Sequence, residues 1–436
     1  MISLGRFLRR GLFYACLTIV MCIGGALSSF TVADTSKPAE SRSTRPVFSQ
    51  PVYSQPVFLP PIFAQPVTTQ TVTPGSHSRS VAFPEPRADF AGWVSDVEQW
   101  LLQNNDLNRT EAQIQLNAPF FLAANSDVPY RGRFLLIHGL SDSAFVWHDF
   151  GQVLADMGFD VRAILLSGHG TTPERMLSVN YRHWIAETRA QIQLWSEPGT
   201  PLYLGGFSMG GVLATAMALE KPDIAGLFLI SPAFHSRLNH MLRWSWLYQK
   251  VQPWVFGTRL TEDNPVKYNS IAVNAGTQYY RTTRYLKKRW KRRTLDMPVL
   301  VVAANDDSVV DVDYVRDIFA TRFTAPHSEL ILYTDPSVSV PRERETHRSG
   351  ASMQRRILNQ SHLSLTNGPD NPVYGEKDPV LVCNGNEYPI FRACMIATGH
   401  WFGAQHTASP DGVPVARSTY NPDMPFVIDA LRRVFQ

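Results

Sequence analysis

The sequence predicts an α/β fold, in which a mostly parallel central sheet is flanked by helices. Three observations support this prediction. Residues 201–204 form a short apolar run that leads into Gly206-Phe207-Ser208-Met209-Gly210 and then into a stretch of small residues. An earlier run, residues 133–137, breaks at His138-Gly139, and a later one, residues 298–304, leads into an acidic turn. Short apolar runs bounded by turn residues are typical of strands buried inside a sheet.

The pentapeptide at residues 206–210 has the pattern G-x-S-x-G, which is typical of a nucleophile elbow. In such an elbow the serine lies on a strained strand-to-helix turn, so the residues two before and two after it need almost no side chain. Gly206 and Gly210 meet this need, and Gly211 lets the following helix pack closely. We therefore predict that Ser208 is a nucleophile held at the end of a strand.

A serine nucleophile needs a histidine base, and an acid that fixes the tautomer of this histidine and stabilises its protonated form. In folds that carry such an elbow, the acid follows the nucleophile in the chain and lies in the turn after a later strand. Asp306, Asp307 and Asp311 are the candidates after the strand predicted at residues 298–304. A solvated acidic turn without a catalytic role is the alternative.

Three histidines are candidates for the base. His362 follows the last predicted strand, residues 329–333, and its apolar neighbours suit an imidazole held in the mouth of a pocket. His347 lies in a charged stretch that predicts a solvated loop. His400 precedes two aromatic residues, which predicts a packed core histidine. We predict that His362 is the base.

Together these features resemble the α/β-hydrolase superfamily, and specifically its monoacylglycerol lipase, lysophospholipase and serine aminopeptidase-like branch. Two further stretches, Leu166-Ser167-Gly168-His169-Gly170-Thr171 and Tyr181-Arg182-His183-Trp184-Ile185, resemble that branch more closely. The resemblance covers about residues 132–365. We interpret His169 as a structural loop histidine rather than as a metal ligand or a second base.

The resemblance implies a catalytic triad of Ser208, Asp307 and His362. It also implies an oxyanion hole formed by the backbone N–H groups of Leu140 and Met209. Neither a metal ion nor a cofactor is implied, and no cluster of His, Cys and carboxylate residues has the spacing of a metal site.

Asp307 is preferred to Asp306 because residues 304–310 match the family's small-x-x-Asp-x-x-Val pattern. The spacing between Asp307 and His362 is long for the family. We therefore expect an insertion around residues 337–353 that buries or gates the site.

The resemblance also implies a helical lid at about residues 235–295. Eight Lys and Arg residues, and no acid, lie between Arg281 and Arg293. This basic stretch is predicted to be helical, because a semi-apolar stripe recurs there at helical spacing. The stripe is formed by Tyr279, Thr283, Leu286 and Trp290. Either the helix contacts a membrane surface of anionic lipids, or it has a solvated face and packs its aromatic residues inside the lid. We favour the second interpretation.

Arg6, Arg9 and Arg10 precede an uncharged stretch, which predicts an export signal peptide or an uncleaved membrane anchor at residues 1–33. Either way we expect the remaining chain to cross the cytoplasmic membrane, and to be periplasmic, extracellular or anchored. Proline-containing near-copies at residues 34–86 predict an extended tether, whose aromatic residues could alternatively bind an envelope partner. The hydrolase domain is expected at residues 87–436.

Cys383 and Cys394 are the only cysteines after the leader. In an exported domain such a pair predicts a disulfide, which here would close a hairpin-like insertion at about residues 366–400. Two free thiols are the alternative.

The sequence thus predicts a serine hydrolase that cleaves carboxylic esters of the monoacylglycerol or lysophospholipid type through an acyl-enzyme. A peptidase or a thioesterase uses the same triad, and a non-catalytic envelope scaffold is a further class. The formal net charge is +4, of which the leader contributes three positive charges, so a nucleic-acid partner is not expected.

Overall fold

The computed structural model describes residues 82–435, apart from residues 108, 292, 336, 378, 384–387 and 406. The predicted leader at residues 1–33 and residues 34–81 of the predicted tether lie outside the described residues. Within the described part of the chain, no helix combines the length and the apolar character needed to cross a membrane.

An eight-stranded sheet forms the centre of the domain, in the order β1-β3-β2-β4-β5-β6-β7-β8. β1 runs antiparallel to β3, and every other neighbouring pair is parallel, which confirms the predicted mostly parallel sheet. The strands are β1 (Phe120–Leu122), β2 (Gly132–Ile137), β3 (Phe159–Ile164), β4 (Leu202–Phe207), β5 (Ile224–Ile230), β6 (Val299–Ala304), β7 (Glu329–Tyr333) and β8 (Glu345–Arg348).

Helices cover both faces of the sheet, because successive residues of its strands point to opposite sides. Leu135 of β2 belongs to one hydrophobic core, whereas Phe134 and Leu136 belong to the other. The helices are α1 (Phe90–Gln103), α2 (Glu111–Gln115), α3 (His148–Asp156), α4 (Tyr181–Trp195), α5 (Met209–Glu220), α6 (Asn239–Leu242), α7 (Ser245–Tyr248), α8 (Val273–Trp290), α9 (Val312–Arg322), α10 (Tyr388–Ile396) and α11 (Met424–Phe435).

Helix α5 is apolar on all sides, and every residue from Met209 to Leu219 is buried. A helix of this composition needs protein on all sides. One partner is α8, whose residues Tyr279, Thr283, Leu286 and Trp290 are buried. The semi-apolar stripe predicted on α8 is therefore part of the domain core.

The segment between β5 and β6, at about residues 235–295, contains α6, α7 and α8 and is called here the β5–β6 insertion. The sequence predicts a lid in this segment, and that role stays a prediction. Two of its buried tyrosines bind loops that follow strands of the sheet, since Tyr279 Oη donates to the Ala233 carbonyl at 2.7 Å and Tyr268 Oη donates to the Gly168 carbonyl at 3.2 Å.

The prediction of a solvated loop around His347 is wrong. This residue lies in β8, where its Nε2 atom is 3.3 Å from a carboxylate oxygen of Glu345 and only 6% of its side chain is exposed. The charges of this stretch are paired across the fold, because Arg316 of α9 also contacts Glu345 at 2.8 Å. The extra residues around 337–353 thus add the edge strand β8. This strand lies four positions along the sheet from β4, the strand that leads into Ser208.

The region after His362 is larger than the predicted insertion at residues 366–400. It contains α10 and a small parallel sheet formed by β9 (Trp401–Gly403) and β10 (Val415–Arg417), and it returns to the main core through α11. A disulfide joins Cys383 and Cys394, which are both buried in a separate small core with Ala416.

Two buried histidines connect the ends of β2 and β3. His138 Nδ1 lies 2.7 Å from the Gly139 carbonyl, and its Nε2 atom accepts the Leu166 N–H at 3.0 Å. The ring of His169 is 4.5 Å away, and its Nδ1 atom lies 3.1 Å from the Leu166 carbonyl. Burial lowers the pKa of His138 to about 4 and lowers the pKa of His169 as well. Both imidazoles are therefore neutral parts of the loop framework.

We expect the free energy of unfolding to fall as the pH drops from 6.5 towards 4, because the unfolded chain binds a proton at residue 138 that the folded chain does not. A pKa of about 4 in place of 6.5 corresponds to about 3 kcal/mol. Urea unfolding at pH 7 and pH 4.5 should show a smaller loss in His138→Gln, which keeps an acceptor for Leu166. The exposed control His327→Gln should behave like the parent chain. Equal losses of the free energy of unfolding in all three proteins would contradict the lowered pKa of His138.

Candidate active site

Ser208 lies between β4 and α5 with φ 53° and ψ −115°, a conformation that a side-chain-bearing residue rarely adopts. Backbone strain of this kind costs about 1–3 kcal/mol and persists only where the surroundings enforce it. Here the Ser208 N–H donates to the Ile230 carbonyl, and the Ser208 carbonyl accepts the N–H groups of Gly211 and Ala233, all at 3.0 Å. The elbow is thus fixed to the end of β5.

The glycines of the elbow allow backbone to meet backbone. A Cβ atom on Gly210 would lie 2.0 Å from the Ile137 carbonyl oxygen, and a Cβ atom on Gly206 would lie 2.5 Å from the Gly210 carbonyl oxygen. Neither obstacle is a side chain that could move aside. The predicted need for glycine therefore has a direct steric cause at both positions, which is contact with the end of β2 at Gly210 and contact with the first turn of α5 at Gly206.

This contact places the turn after β2 beside Ser208. A Cβ atom on Gly139 would lie 3.1 Å from Ser208 Cβ, so the backbone leading to Leu140 passes next to the serine. Met209 is the first residue of α5, and the first N–H groups of a helix have no partner within it. Of the two predicted oxyanion donors, Met209 N–H thus follows Ser208 in the chain, and Leu140 N–H belongs to the turn that lies beside it.

The β5–β6 insertion holds the same turn from outside. The Ser141 carbonyl accepts the Tyr268 N–H at 2.8 Å, and Ser143 Oγ donates to the Val266 carbonyl at 2.8 Å. Ser141 itself has a φ of 60°. The turn is therefore fixed between the end of β2 and the insertion.

The structure brings the three predicted side chains of the triad into one line. His362 Nε2 lies 3.0 Å from Ser208 Oγ, and His362 Nδ1 lies 2.6 Å from Asp307 Oδ2. All three residues are at least nine-tenths buried. The second oxygen of Asp307 accepts the N–H groups of Val309 and Val310 at 2.8 and 3.0 Å, which fixes the carboxylate.

The electrostatics of the line favour an ionised acid. Burial alone would raise the pKa of Asp307, but the imidazole of His362 and the two backbone N–H groups outweigh it, so the pKa lies below its usual value. A charged carboxylate at this place orients the imidazole and can stabilise its protonated form.

The other candidates from the sequence lie elsewhere. Asp306 is exposed and accepts a hydrogen bond from Asn359, while Asp311 caps α9. His400 donates from Nε2 to the Cys394 carbonyl at 2.7 Å. In the described part of the chain, one group has the spacing of a metal site, namely His400 with Cys383 and Cys394, and its two sulfurs form the disulfide.

Residues from the C-terminal region support the loop that carries His362. Ser361 Oγ donates to the Ser418 carbonyl at 2.6 Å, and Asn367 Nδ2 donates to the Thr419 carbonyl at 2.9 Å. Asp149 of α3 accepts the Gly368 N–H at 2.6 Å. The loop is therefore clamped between α3 and the strand region around β10.

Three charged residues near the triad were not predicted from the sequence. Burial raises the pKa of Asp142 to about 6, against the opposing charges of Lys267 and His362. Burial also lowers the pKa of Lys267 and of Arg417, although the carboxylates of Asp142 and Asp307 respectively oppose this. They come from three segments that are distant in sequence and contain other polar residues, so no local signal in the sequence indicates them.

Comparison with known proteins agrees with the fold. Residues 129–335 match the model of the family described as serine aminopeptidase, S33. Over 99 residues the chain is 29% identical to a thermostable monoacylglycerol lipase of Bacillus sp. (strain H-257), covering 23% of this chain and 40% of the relative. It is 30% identical to the human monoglyceride lipase over 99 residues, covering 22% of this chain and 33% of that protein. The aligned part thus spans less than half of either relative.

Solved structures of lipolytic enzymes are also similar to this chain. A soluble variant of the monoglyceride lipase from Saccharomyces cerevisiae aligns with a TM-score of 0.42 at 17% identity, covering 52% of this chain and 85% of the other. The structure reported for the metagenome-derived lipolytic enzymes LipS and LipT aligns with a TM-score of 0.43 at 21% identity, covering 50% and 87%. The sheet and the family match support an α/β-hydrolase fold, and the family model and both curated relatives support a likeness to the branch that includes S33 serine aminopeptidases and monoacylglycerol lipases.

Proposed function

We propose that this protein is a serine hydrolase that cleaves carboxylic esters, with Ser208 as the nucleophile. The observation that carries the proposal is the hydrogen-bonded line from Ser208 through His362 to Asp307. The strained backbone at Ser208 supports it further, because strain retained at a buried serine indicates a functional constraint.

The geometry fits acylation followed by hydrolysis. Ser208 Oγ attacks the ester carbonyl carbon while His362 Nε2 takes the hydroxyl proton, and Asp307 stabilises the resulting imidazolium. The N–H groups of Leu140 and Met209 bind the oxyanion. The alcohol leaves with the proton from His362, and water then attacks the acyl-enzyme, again losing its proton to His362. The acid is released and Ser208 is restored.

For the substrate we propose an acyl ester of the monoacylglycerol or lysophospholipid type. The names of the two curated relatives support this class, as both are called lipases of monoacylglycerols. The serine aminopeptidase family match keeps a peptidase as the second candidate, since amide cleavage uses the same triad.

We further propose that the protein works outside the cytoplasm. The arginines before the uncharged stretch at residues 11–33 support export, and the disulfide between Cys383 and Cys394 suits an oxidising compartment. The proline-rich residues 34–86 would then act as a tether or bind an envelope partner.

Ser208→Ala should reduce ester turnover by at least about 10⁴-fold, because the nucleophile is lost while the fold remains. Turnover of p-nitrophenyl esters from short to long acyl chains should be measured for the parent and the variant, with circular dichroism as the folding control. Serine-dependent turnover that peaks at long chains supports the lipase class, and a short-chain peak indicates a general esterase. Ester turnover that survives in a folded Ser208→Ala protein would disprove the mechanism.

His362→Ala should be nearly as damaging as the serine variant, since no other described imidazole contacts Ser208. The matched control is His400→Ala, which removes a hydrogen bond to Cys394 and should lower stability by about 1 kcal/mol without a comparable loss of turnover. If His400→Ala abolished turnover and His362→Ala did not, the assignment of the base would be wrong.

Asp307→Asn should lower kcat by about 10⁴-fold, because the amide would hold the imidazole in the wrong tautomer. Its neighbour Asp306 is exposed and contacts only the side chain of Asn359, so Asp306→Asn serves as the control and should keep nearly full activity. Steady-state kinetics on a soluble short-chain ester would separate the two. Equal effects would refute the geometric assignment of the acid.

A further inference from the structure

The β5–β6 insertion contains a basic cavity of about 810 Å³, a size typical of small-ligand sites. Residues of α6, of α8 and of the segments around α6 line it. Its lining contains no carboxylate and six basic side chains, namely His235, Arg237, His240, Arg243, Arg281 and Arg284. The triad side chains are not among the residues that line it.

Two of the basic residues already have partners. His235 contacts the Asp311 carboxylate at 3.0 Å, and Arg237 donates to the carbonyl groups of Val310 and Asn305 at 3.3 and 3.1 Å. These contacts hold the wall of the cavity and leave little capacity for a ligand.

The other three arginines have exposed guanidinium groups. Within the described residues, Arg281 and Arg284 form no ion pair or side-chain hydrogen bond, and Arg243 only stacks over Trp244 at 5.4 Å. Three positive charges around one concavity repel one another and raise the local concentration of anions. The cavity is therefore complementary to an anion that the described residues do not supply.

A second feature lies on the same insertion. Six large apolar side chains within residues 241–251 are 45–75% exposed, and together they are called here the apolar surface. They are Met241, Trp244, Trp246, Leu247, Tyr248 and Val251. Exposed apolar clusters of this kind mark interaction sites, and Trp and Tyr are enriched where proteins meet the headgroup level of a membrane.

The basic cavity and the apolar surface share Trp246, which lines the one and belongs to the other. An occupant must therefore offer anionic groups and apolar material side by side. The surface of an anionic lipid bilayer does so, because its charged headgroups lie directly above its acyl chains.

We propose that Arg243, Arg281 and Arg284 form a binding site for the phosphate headgroup of an anionic lipid, with the adjacent apolar surface inserted among the acyl chains. The proposal deepens the proposed function, because it places the hydrolase on a lipid surface through a site separate from Ser208. It also narrows the alternative in which the whole basic stretch between Arg281 and Arg293 contacts a membrane surface. The stripe on that helix is buried, and Arg289 is paired with Glu220.

The test uses the full chain and vesicles of phosphatidylcholine mixed with increasing fractions of phosphatidylglycerol. Bromine atoms on the acyl chains quench the fluorescence of tryptophans that enter the bilayer. This quenching reports whether the β5–β6 insertion enters the bilayer, even if another segment holds the chain on the vesicle. We expect quenching to rise with the fraction of phosphatidylglycerol. Each Arg near an anionic surface raises the affinity for the membrane by about fivefold. The combined variant Arg243→Gln, Arg281→Gln, Arg284→Gln should therefore bind the vesicles through this site on the order of 100-fold more weakly.

The matched control removes the same number of charges from exposed residues that do not line the cavity, by Lys377→Gln, Arg392→Gln and Arg432→Gln. It should keep its quenching, because the attraction fades within a Debye length of about 10 Å. A second variant, Trp244→Phe with Trp246→Phe, should lose the phosphatidylglycerol-dependent quenching while it still binds.

Three results would overturn the proposal. The first is equal quenching by vesicles with and without phosphatidylglycerol, and the second is equal behaviour of the arginine variant and its control. The third is loss of quenching when inorganic phosphate replaces chloride at the same ionic strength, since the cavity would then prefer a small soluble anion. Turnover of a soluble short-chain ester in the same samples reports separately on the proposed function, and the arginine variant should keep it.

Discussion

The site depends on the direct backbone contact between the elbow and the end of β2. Because Gly210 has no side chain, the first turn of α5 can lie against the Ile137 carbonyl oxygen. That approach holds Ser208 in its strained conformation and brings the turn at Gly139 into contact with it. Nucleophile and predicted oxyanion donors are thus positioned by one constraint. A side chain at Gly210 would disturb both, whatever happened to the triad.

The histidine depends on a different part of the chain. The imidazole of His362 lies 3.0 Å from Ser208, and its loop is bonded to Ser418 and Thr419 after β10 and to Asp149 of α3. The region after residue 366, which the family match does not cover, therefore supports the proposed base. Variation there should alter how firmly the imidazole is held without changing the elbow.

Local signals in the sequence predicted the parts that local chemistry determines. The strands β2, β4 and β6 and the elbow at Ser208 are marked by apolar runs and by glycines whose absence would cause clashes. The stretch around His347 was misread because its charges are paired with residues distant in sequence, Glu345 with Arg316 and Arg348 with Asp423. Asp142, Lys267 and Arg417 were missed for the same reason, as only the tertiary fold brings three such segments together.

The β5–β6 insertion contacts the active site on one side and carries the basic cavity on the other. On its inner side the backbone around Tyr268 holds Ser141, and Tyr279 bonds to Ala233, whose N–H in turn donates to the Ser208 carbonyl. On its outer side are the unpaired arginines of the basic cavity. Tyr279 and Arg281 are two residues apart on α8, so the hydrogen bond to Ala233 and the lining of the cavity come from the same helix. Lipid binding at the cavity, as proposed, would therefore place on the membrane the same helix that holds the backbone beside the elbow.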